Sequence, residues 1–265
     1  MRIGLITPDP GHPLLAATAA LLSAEHTVEV LDPAAGATGA PGARPDVCLL
    51  KARTPAALEL ARALEERGTV VLNSAAATER CQDRITMAEL ALGAGLPFAG
   101  TRAHATLREL AAAAQRRPEG PLVVKSRHSR KNDLVARVDG AQDLRELTAV
   151  WGREPVVVQD FAPNSGWDHK LWVVGGRVFA GLRRSELATA AGEPAAAVRR
   201  LPAAWEESAL RVGEVFGLEV YGVDVIDTGG GAPLIVDVNA FPGIRGQAGA
   251  PRALADLVLR AAPPA

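Results

Sequence analysis

The chain has 265 residues, 48% of them apolar, and 29 Lys and Arg against 30 Asp and Glu give a formal net charge of −1. That length allows one large or two modest domains, and the balanced charge argues against a nucleic-acid partner held mainly by electrostatics. Cys48 and Cys81 are too few and too far apart for a disulfide framework or a zinc site and point to a reducing cytoplasm, while no apolar run approaches the ~18–20 residues of a membrane helix.

Residues 2–7 read as a buried strand ending at Pro8, Asp9, Pro10 and Gly11, a turn that comes too early for a signal peptide. A helix is expected over 13–24, a strand over 27–31 and a Pro/Gly/Ala-rich loop over 33–45. A strand over 46–50, a helix over 55–67 and a strand over 69–72 complete a βαββαβ pattern, the mark of a small parallel α/β layer. Gly11 and His12 follow the first strand, where open α/β sheets bind ligands.

Helices are expected over 79–94 and 105–116, then strands over 121–125 and 133–138, a helix over 141–150, and strands over 156–161, 169–174 and 177–183. Gly175-Gly176 supplies a tight hairpin turn between the last two strands. Residues 186–201 read as a loop, 203–216 as a helix, 219–227 and 232–238 as a hairpin turned by Gly229-Gly230-Gly231, and 251–261 as a final helix.

The last hairpin carries the clearest chemistry. Strand side chains alternate faces, so Asp237 and Asn239 share one face, and Asp224 can join them from the paired strand. Two carboxylates and an amide oxygen suit a hard cation such as Mg²⁺, which completes its shell with phosphates and water. Acids that merely face solvent are the competing reading, weakened because these interrupt apolar strands.

Only four of the basic residues are lysines (Lys51, Lys125, Lys131 and Lys170), so a retained lysine is informative in an Arg-rich chain. Lys125 and Lys170 both sit on expected strands, where lysine is disfavoured. They either snorkel to water from sheet edges or grip nucleotide phosphates. Between them, Val156-Val157-Val158-Gln159-Asp160-Phe161 is an apolar strand turning polar, suited to an adenine ring.

The ordered set Lys125, Gln159-Asp160-Phe161, Lys170, Arg183-Arg184, Asp224 and Asp237-x-Asn239 resembles the ATP-grasp superfamily over roughly residues 80–245. The resemblance implies an α/β (overall α+β) ATP-grasp fold in which an N-terminal parallel layer precedes two antiparallel-sheet subdomains that sandwich ATP. The divisions would be 1–78, 79–162 and 163–265. Lys125 and Lys170 would contact phosphates, with Gln159, Asp160 and Phe161 as the adenine hinge and Val236 and His128 among the nucleotide contacts. Asp224, Asp237 and Asn239 would hold one or two Mg²⁺, with Mn²⁺ as a substitute. Arg183 and Arg184, together with Lys170, would stabilise charge on the transferring phosphoryl group or a tetrahedral intermediate.

The activity so implied is ATP-dependent amide-bond formation through an acyl phosphate. Its substrates would be a small-molecule carboxylate and an amine, an amino acid or peptide, in a cytoplasmic protein without nucleic-acid or membrane partners and compatible with a homodimer. Two features depart from many such ligases: the loop 126–133 is basic and lacks glycine, and Asp237 stands where Glu is common. With Asp83-Arg84-x-Thr86-Met87 and Asn239-Ala240-Phe241-Pro242-Gly243, they look like the inositol trisphosphate kinases. That makes a kinase for an inositol phosphate or other polyol the alternative, with the basic loop as a lid. The opening Met-Arg-Ile-Gly-Leu-Ile-Thr is more similar to RimK-like glutamate ligases. Of the histidines, His12 could face substrate, His169 and His128 neighbour the phosphate lysines, His26 reads as surface, and His104 as a loop or helix start.

Overall fold

The protein is described by a computed structural model over residues 1–35, 44–114, 120–164, 166–185, 187, 201–229 and 231–262. The expected loops at 33–45 and 186–201 and the last turn of the 105–116 helix fall wholly or partly outside these residues, as does Gly230.

The first layer contains β1 (Arg2–Ile6), α1 (Pro13–Leu22), β2 (Thr27–Leu31), a 3-10 turn (Pro33–Ala35), β3 (Val47–Leu50), α2 (Pro55–Glu66) and β4 (Val70–Leu72). Its strands are all parallel, in the order β2-β1-β3-β4. β3 is buried throughout, as a strand with helices on both faces must be. Leu14 and Leu15 of α1 pack on one face, and Ala57, Leu58 and Ala61 of α2 on the other. The connections leaving β1 and β3 diverge, so the C-terminal ends of these two strands frame the sheet's topological switch point.

One expected helix is two. Residues 79–94 fall into α3 (Ala75–Arg80) and α4 (Arg84–Gly93). Ser74 caps α3 by accepting from the Ala77 N–H at 3.1 Å, and Asp83 caps α4 by accepting from the Ile85 N–H at 2.9 Å. A side chain that satisfies free N–H groups starts a helix rather than continuing one. β5 (Thr101–His104) was not expected, because Thr-Arg-Ala-His has no apolar run. It forms by pairing with an apolar neighbour at a sheet edge, which puts His104 in a strand.

α5 (Leu107–Ala114), β6 (Leu122–Ser126), β7 (Val135–Val138), α6 (Ala141–Trp151) and β8 (Val156–Asp160) complete the second sheet, antiparallel in the order β5-β8-β6-β7. Val124, Val156 and Val158 turn toward α5 and α6. Alternation therefore sends Val123, Lys125 and Gln159 to the other face. β9 (Trp167–Val174), β10 (Arg177–Arg184), α7 (Ala203–Phe216), β11 (Val220–Asp227) and β12 (Pro233–Ala240) build the third sheet, antiparallel in the order β10-β9-β11-β12. Gly175 and Gly176, at φ 55° and 82°, make the two-residue turn between β9 and β10.

Leu171, Val173, Val223, Val225, Ile235 and Val238 of the third sheet pack with Met87 of α4 and with Val212 and Phe216 of α7. The final helix, α8 (Ala250–Ala261), packs with α1 against the first layer. The polar faces of the second and third sheets are left to face one another. Among the described residues no helix is long and apolar enough to cross a membrane.

Candidate active site

Between those faces lies a cavity of ≈290 Å³. Lys125, Gln159, Asp160, Phe161, Lys170, Arg183, Asp224, Val236, Asp237 and Asn239 all line it. Ten of the expected site residues, spread over more than 110 positions of sequence, thus meet at one place. His128 and Arg184 do not: both are exposed and outside the cavity lining. Arg184 alternates away from Arg183 on β10. His169 likewise turns from the cleft and packs edge-on against Trp205, with centroids 4.8 Å apart, and His26 is half-buried rather than on the surface.

The metal-binding candidates come from β11 and β12. Asp224 pairs with Asp237, and Asn239 with Gly222. The register shifts between Asp224 and Val225, leaving Val236 without a partner in the ladder. Such a bulge releases a carbonyl from sheet pairing, and Lys125 Nζ donates to Val236 O at 2.7 Å. Lys125 is 5% exposed, so it does not snorkel to water. Burial pushes its pKa down, while the Asp237 charge pulls the other way.

Lys170 Nζ lies 2.6 Å from Asp224 Oδ2. Burial pushes the Asp224 carboxyl pKa up, Lys170 opposes the shift, and the Asp237 charge adds to it. Two carboxylates facing each other across a hairpin repel unless cations lie between or beside them. Lys170 supplies one such cation and Arg84 the other.

Arg84, at the start of α4, stands in the sequence only as part of the Asp83-Arg84-x-Thr86-Met87 motif. Its side chain is 5% exposed, and Nη1 donates to Asp133 Oδ2 and to Ser126 O, both at 2.7 Å, while Nη2 donates to Asp237 Oδ2 at 3.2 Å. Burial works against its charge, but Asp237 and Asp133 outweigh it and hold the guanidinium pKa above its usual value. The signal in the sequence was Asp83, a helix cap that fixes where the next side chain points. Arg84 joins the basic loop to the β11–β12 hairpin.

The basic loop is itself tied down. Arg127 makes a fork onto Asp83 at 2.7–3.1 Å, and Arg130 Nη1 lies 2.6 Å from Glu154. Ser129 N donates to Gln82 O at 2.8 Å. These contacts fasten the loop to the cap of α4 while Ser129 and Arg130 line the cavity.

At the adenine-hinge position, Gln159 is buried and donates to Thr101 Oγ1 at 3.0 Å. Phe161 lies under the Arg137 guanidinium, 4.0 Å from its ring centroid. The Asp160 carboxylate instead pairs with Arg102 at 2.8 Å on the exposed edge.

Among the described residues no three or more His, Cys, Asp or Glu gather where they could hold a metal. Asp224, Asp237 and the Asn239 amide are an all-oxygen set with two charges. Its chemistry fits a hard divalent cation that takes further oxygens from phosphates and water.

Comparison with known proteins agrees with this architecture. A family model described as the RimK-like ATP-grasp domain matches residues 99–252. A probable alpha-L-glutamate ligase of Thioalkalivibrio sulfidiphilus is 30% identical over 200 residues, covering 70% of this chain and 64% of that protein. One from Aeromonas salmonicida matches to the same extent. The chain thus spans about 64% of the length of these curated relatives.

Among solved structures, a RimK domain ATP-grasp protein of Sphaerobacter thermophilus superposes with a TM-score of 0.78 at 26% identity, covering 98% of this chain and 100% of that one. A D-alanine–D-alanine ligase of Bacillus anthracis shares the fold at a TM-score of 0.70 and 15% identity, over 98% of this chain and 97% of that one. With one parallel and two antiparallel sheets around a cleft lined by lysines and acids, and with more than half its length matched by the family model, the chain belongs to the RimK-like ATP-grasp family.

Proposed function

We propose that the protein is an ATP- and Mg²⁺-dependent carboxylate–amine ligase that forms an amide bond on a small amino acid or peptide through an acyl phosphate. The observation that carries this reading is the meeting of Lys125, Lys170 and Arg183 with Asp224, Asp237 and Asn239 in one cleft between two antiparallel sheets. The relatives, named as probable alpha-L-glutamate ligases, support the same reaction class.

Asp224, Asp237 and Asn239 would hold Mg²⁺, which supplies neutralisation of phosphate charge when bound. Lys125 and Lys170 bind and orient the nucleotide phosphates. A carboxylate oxygen of the acid attacks the γ-phosphorus, and ADP leaves. The amine then attacks the acyl carbon, loses a proton, and inorganic phosphate leaves. Arg183 faces the region where negative charge builds up. Such a reaction needs positioning and charge stabilisation rather than a protein nucleophile.

The polyol-kinase alternative rests on the Asp237-x-Asn239-Ala240-Phe241-Pro242-Gly243 motif and on the basic loop as a phosphate lid. Arg127 and Arg130 of that loop are paired with Asp83 and Glu154, so the ligase reading is favoured. The test is phosphate release from Mg-ATP with pooled acids and amines, followed by product masses. Release that needs both partners, with a condensed product, is expected. A product heavier by one phosphoryl group, made without any amine, would replace the ligase by the kinase.

A further inference from the structure

A second cavity, of ≈360 Å³, opens where the first layer meets the end of β12. It is lined by Leu50, Lys51, Ala52 and Arg53 after β3, and by Asn239 through Gly243. This is the switch-point crevice of the parallel sheet, the place where such sheets bind ligands. Its size lies in the ~300–1,000 Å³ range of small-molecule sites. Arg53 and Asn239 line both this cavity and the nucleotide cleft, so the two spaces adjoin at those side chains.

The two cations in it have different duties. Lys51 Nζ donates to Phe241 O at 3.1 Å and Pro242 O at 3.3 Å and sits 5.4 Å from the Phe241 ring centroid. Phe241 has a left-handed backbone at φ 44° that turns its carbonyl to Lys51. A non-glycine residue keeps that conformation only where its surroundings hold it. Lys51 therefore shapes the 241–243 loop. Burial and the nearby Arg53 charge push its pKa down to about 8, with the Asp9 carboxylate opposing them only in part.

Arg53 has no such occupation. Its Nη1 is shut off from water, and among the described residues it has neither a hydrogen-bond nor an ion-pair partner. No acidic side chain lines this cavity. Enclosed polar groups are almost always paired, so a lone one at a cavity wall points to a ligand. A guanidinium fork matches a carboxylate, to which it can give two parallel hydrogen bonds.

We propose that this cavity selects a substrate bearing a free carboxylate besides the group that reacts, and that Arg53 grips that carboxylate while Lys51 holds the 241–243 loop in place. The proposal rests on the ligase reading for the identity of the reacting groups. The carboxylate grip itself can be measured without turnover. A substrate anchored here by one end would reach the nucleotide cleft past Asn239 with the other. The enzyme would then discriminate between a free carboxylate and its amide far more strongly than between aliphatic chain lengths, since an amide leaves the Arg53 charge unpaired.

The experiment is calorimetric titration of the full chain, loaded with Mg²⁺ and a non-hydrolysable ATP analogue. The probes are acetate, succinate, glutarate, glycine and L-glutamate, each against the corresponding amide. Carboxylates should bind and amides should not. Arg53→Gln should lose about 10- to 100-fold in carboxylate affinity, the effect of one charge-assisted contact, with nucleotide affinity within twofold. Arg53→Lys should recover part of the loss.

Loss of nucleotide affinity in Arg53→Gln would assign the side chain to phosphate and overturn the proposal. Equal binding of carboxylates and amides, or no carboxylate binding to the wild type at tens of millimolar, would also overturn it. Carboxylate binding that depends on Arg53, without phosphate release from any acid and amine pair, would keep this site and reject the ligase. Amide synthesis with an unchanged carboxylate KM in Arg53→Gln would do the reverse.

Discussion

Replacing Arg84 by methionine should destabilise the protein more than most single substitutions, and Mg²⁺ should repair much of the damage. The side chain is 5% exposed and serves Asp133, Asp237 and Ser126 O at once, and the two acid side chains are only 12% and 14% exposed. Methionine fills much of the volume but leaves two enclosed carboxylates facing each other's field without their cation. Removing one partner of a buried ion pair costs about 3–5 kcal/mol. For a chain of this size each kcal/mol moves the melting point by roughly 2–4 °C, so the drop should be roughly 6–20 °C.

The assay is urea unfolding of wild type, Arg84→Met, Asp133→Asn and the double variant, with and without Mg²⁺. Neutralising Asp133 should return part of the stability in the double variant, because the orphaned charge is then gone. Mg²⁺ should stabilise Arg84→Met more than wild type, because Asp237 is then free for the cation. A loss below about 1 kcal/mol, together with equal Mg²⁺ responses, would refute both the pairing energetics and the placement of Asp237 at the metal site.

Asp237→Asn removes one of two charges from the proposed metal site and should lower ATP turnover by about 10²-fold or more, the scale seen when a preorganised electrostatic group is lost; near-normal turnover would sink the assignment. Lys170→Ala should weaken nucleotide binding by about 10- to 100-fold in a direct titration, whereas unchanged affinity would reduce it to a partner for Asp224. Asp83 should show its role in acid. Burial works to raise its carboxyl pKa, but hydrogen bonds from Arg127 and the Ile85 N–H outweigh burial and hold it below the usual value. A depressed folded-state value contributes stability that is complete above the unfolded carboxylate pKa and is lost as pH falls through the folded one. The gap in urea midpoint between wild type and Asp83→Asn should therefore be present at neutral pH and close below the carboxylate range; a gap independent of pH would contradict this.

Much of the site was legible because β-strands encode it locally. Alternation alone put Asp237 and Asn239 on one face, and the antiparallel pairing of β11 with β12 brought Asp224 opposite Asp237. The parallel layer was readable for a similar reason: its strands are short apolar runs separated by amphipathic helices. The break between α3 and α4 was written in Ser74 and Asp83, yet helical composition on both sides concealed it. β5 had no pattern of its own, since only its neighbour β8 makes it a strand.

What the sequence determined by itself is whatever depends on residues a few positions apart: the strands and their faces, the hairpin turns, the helix caps and the set of lysines and acids that suggested a nucleotide site. Tertiary structure decided the rest. It paired Arg84 with Asp133 and Asp237 across 49 and 153 positions, left Arg53 Nη1 without a hydrogen bond among the described residues at the junction of two cavities, and turned His128 and Arg184 away from the cleft. Partnership between charges is a matter of distance in space and of exclusion from water. Chain order fixes neither, so only the packed sheets could say which cations are already satisfied by their neighbours.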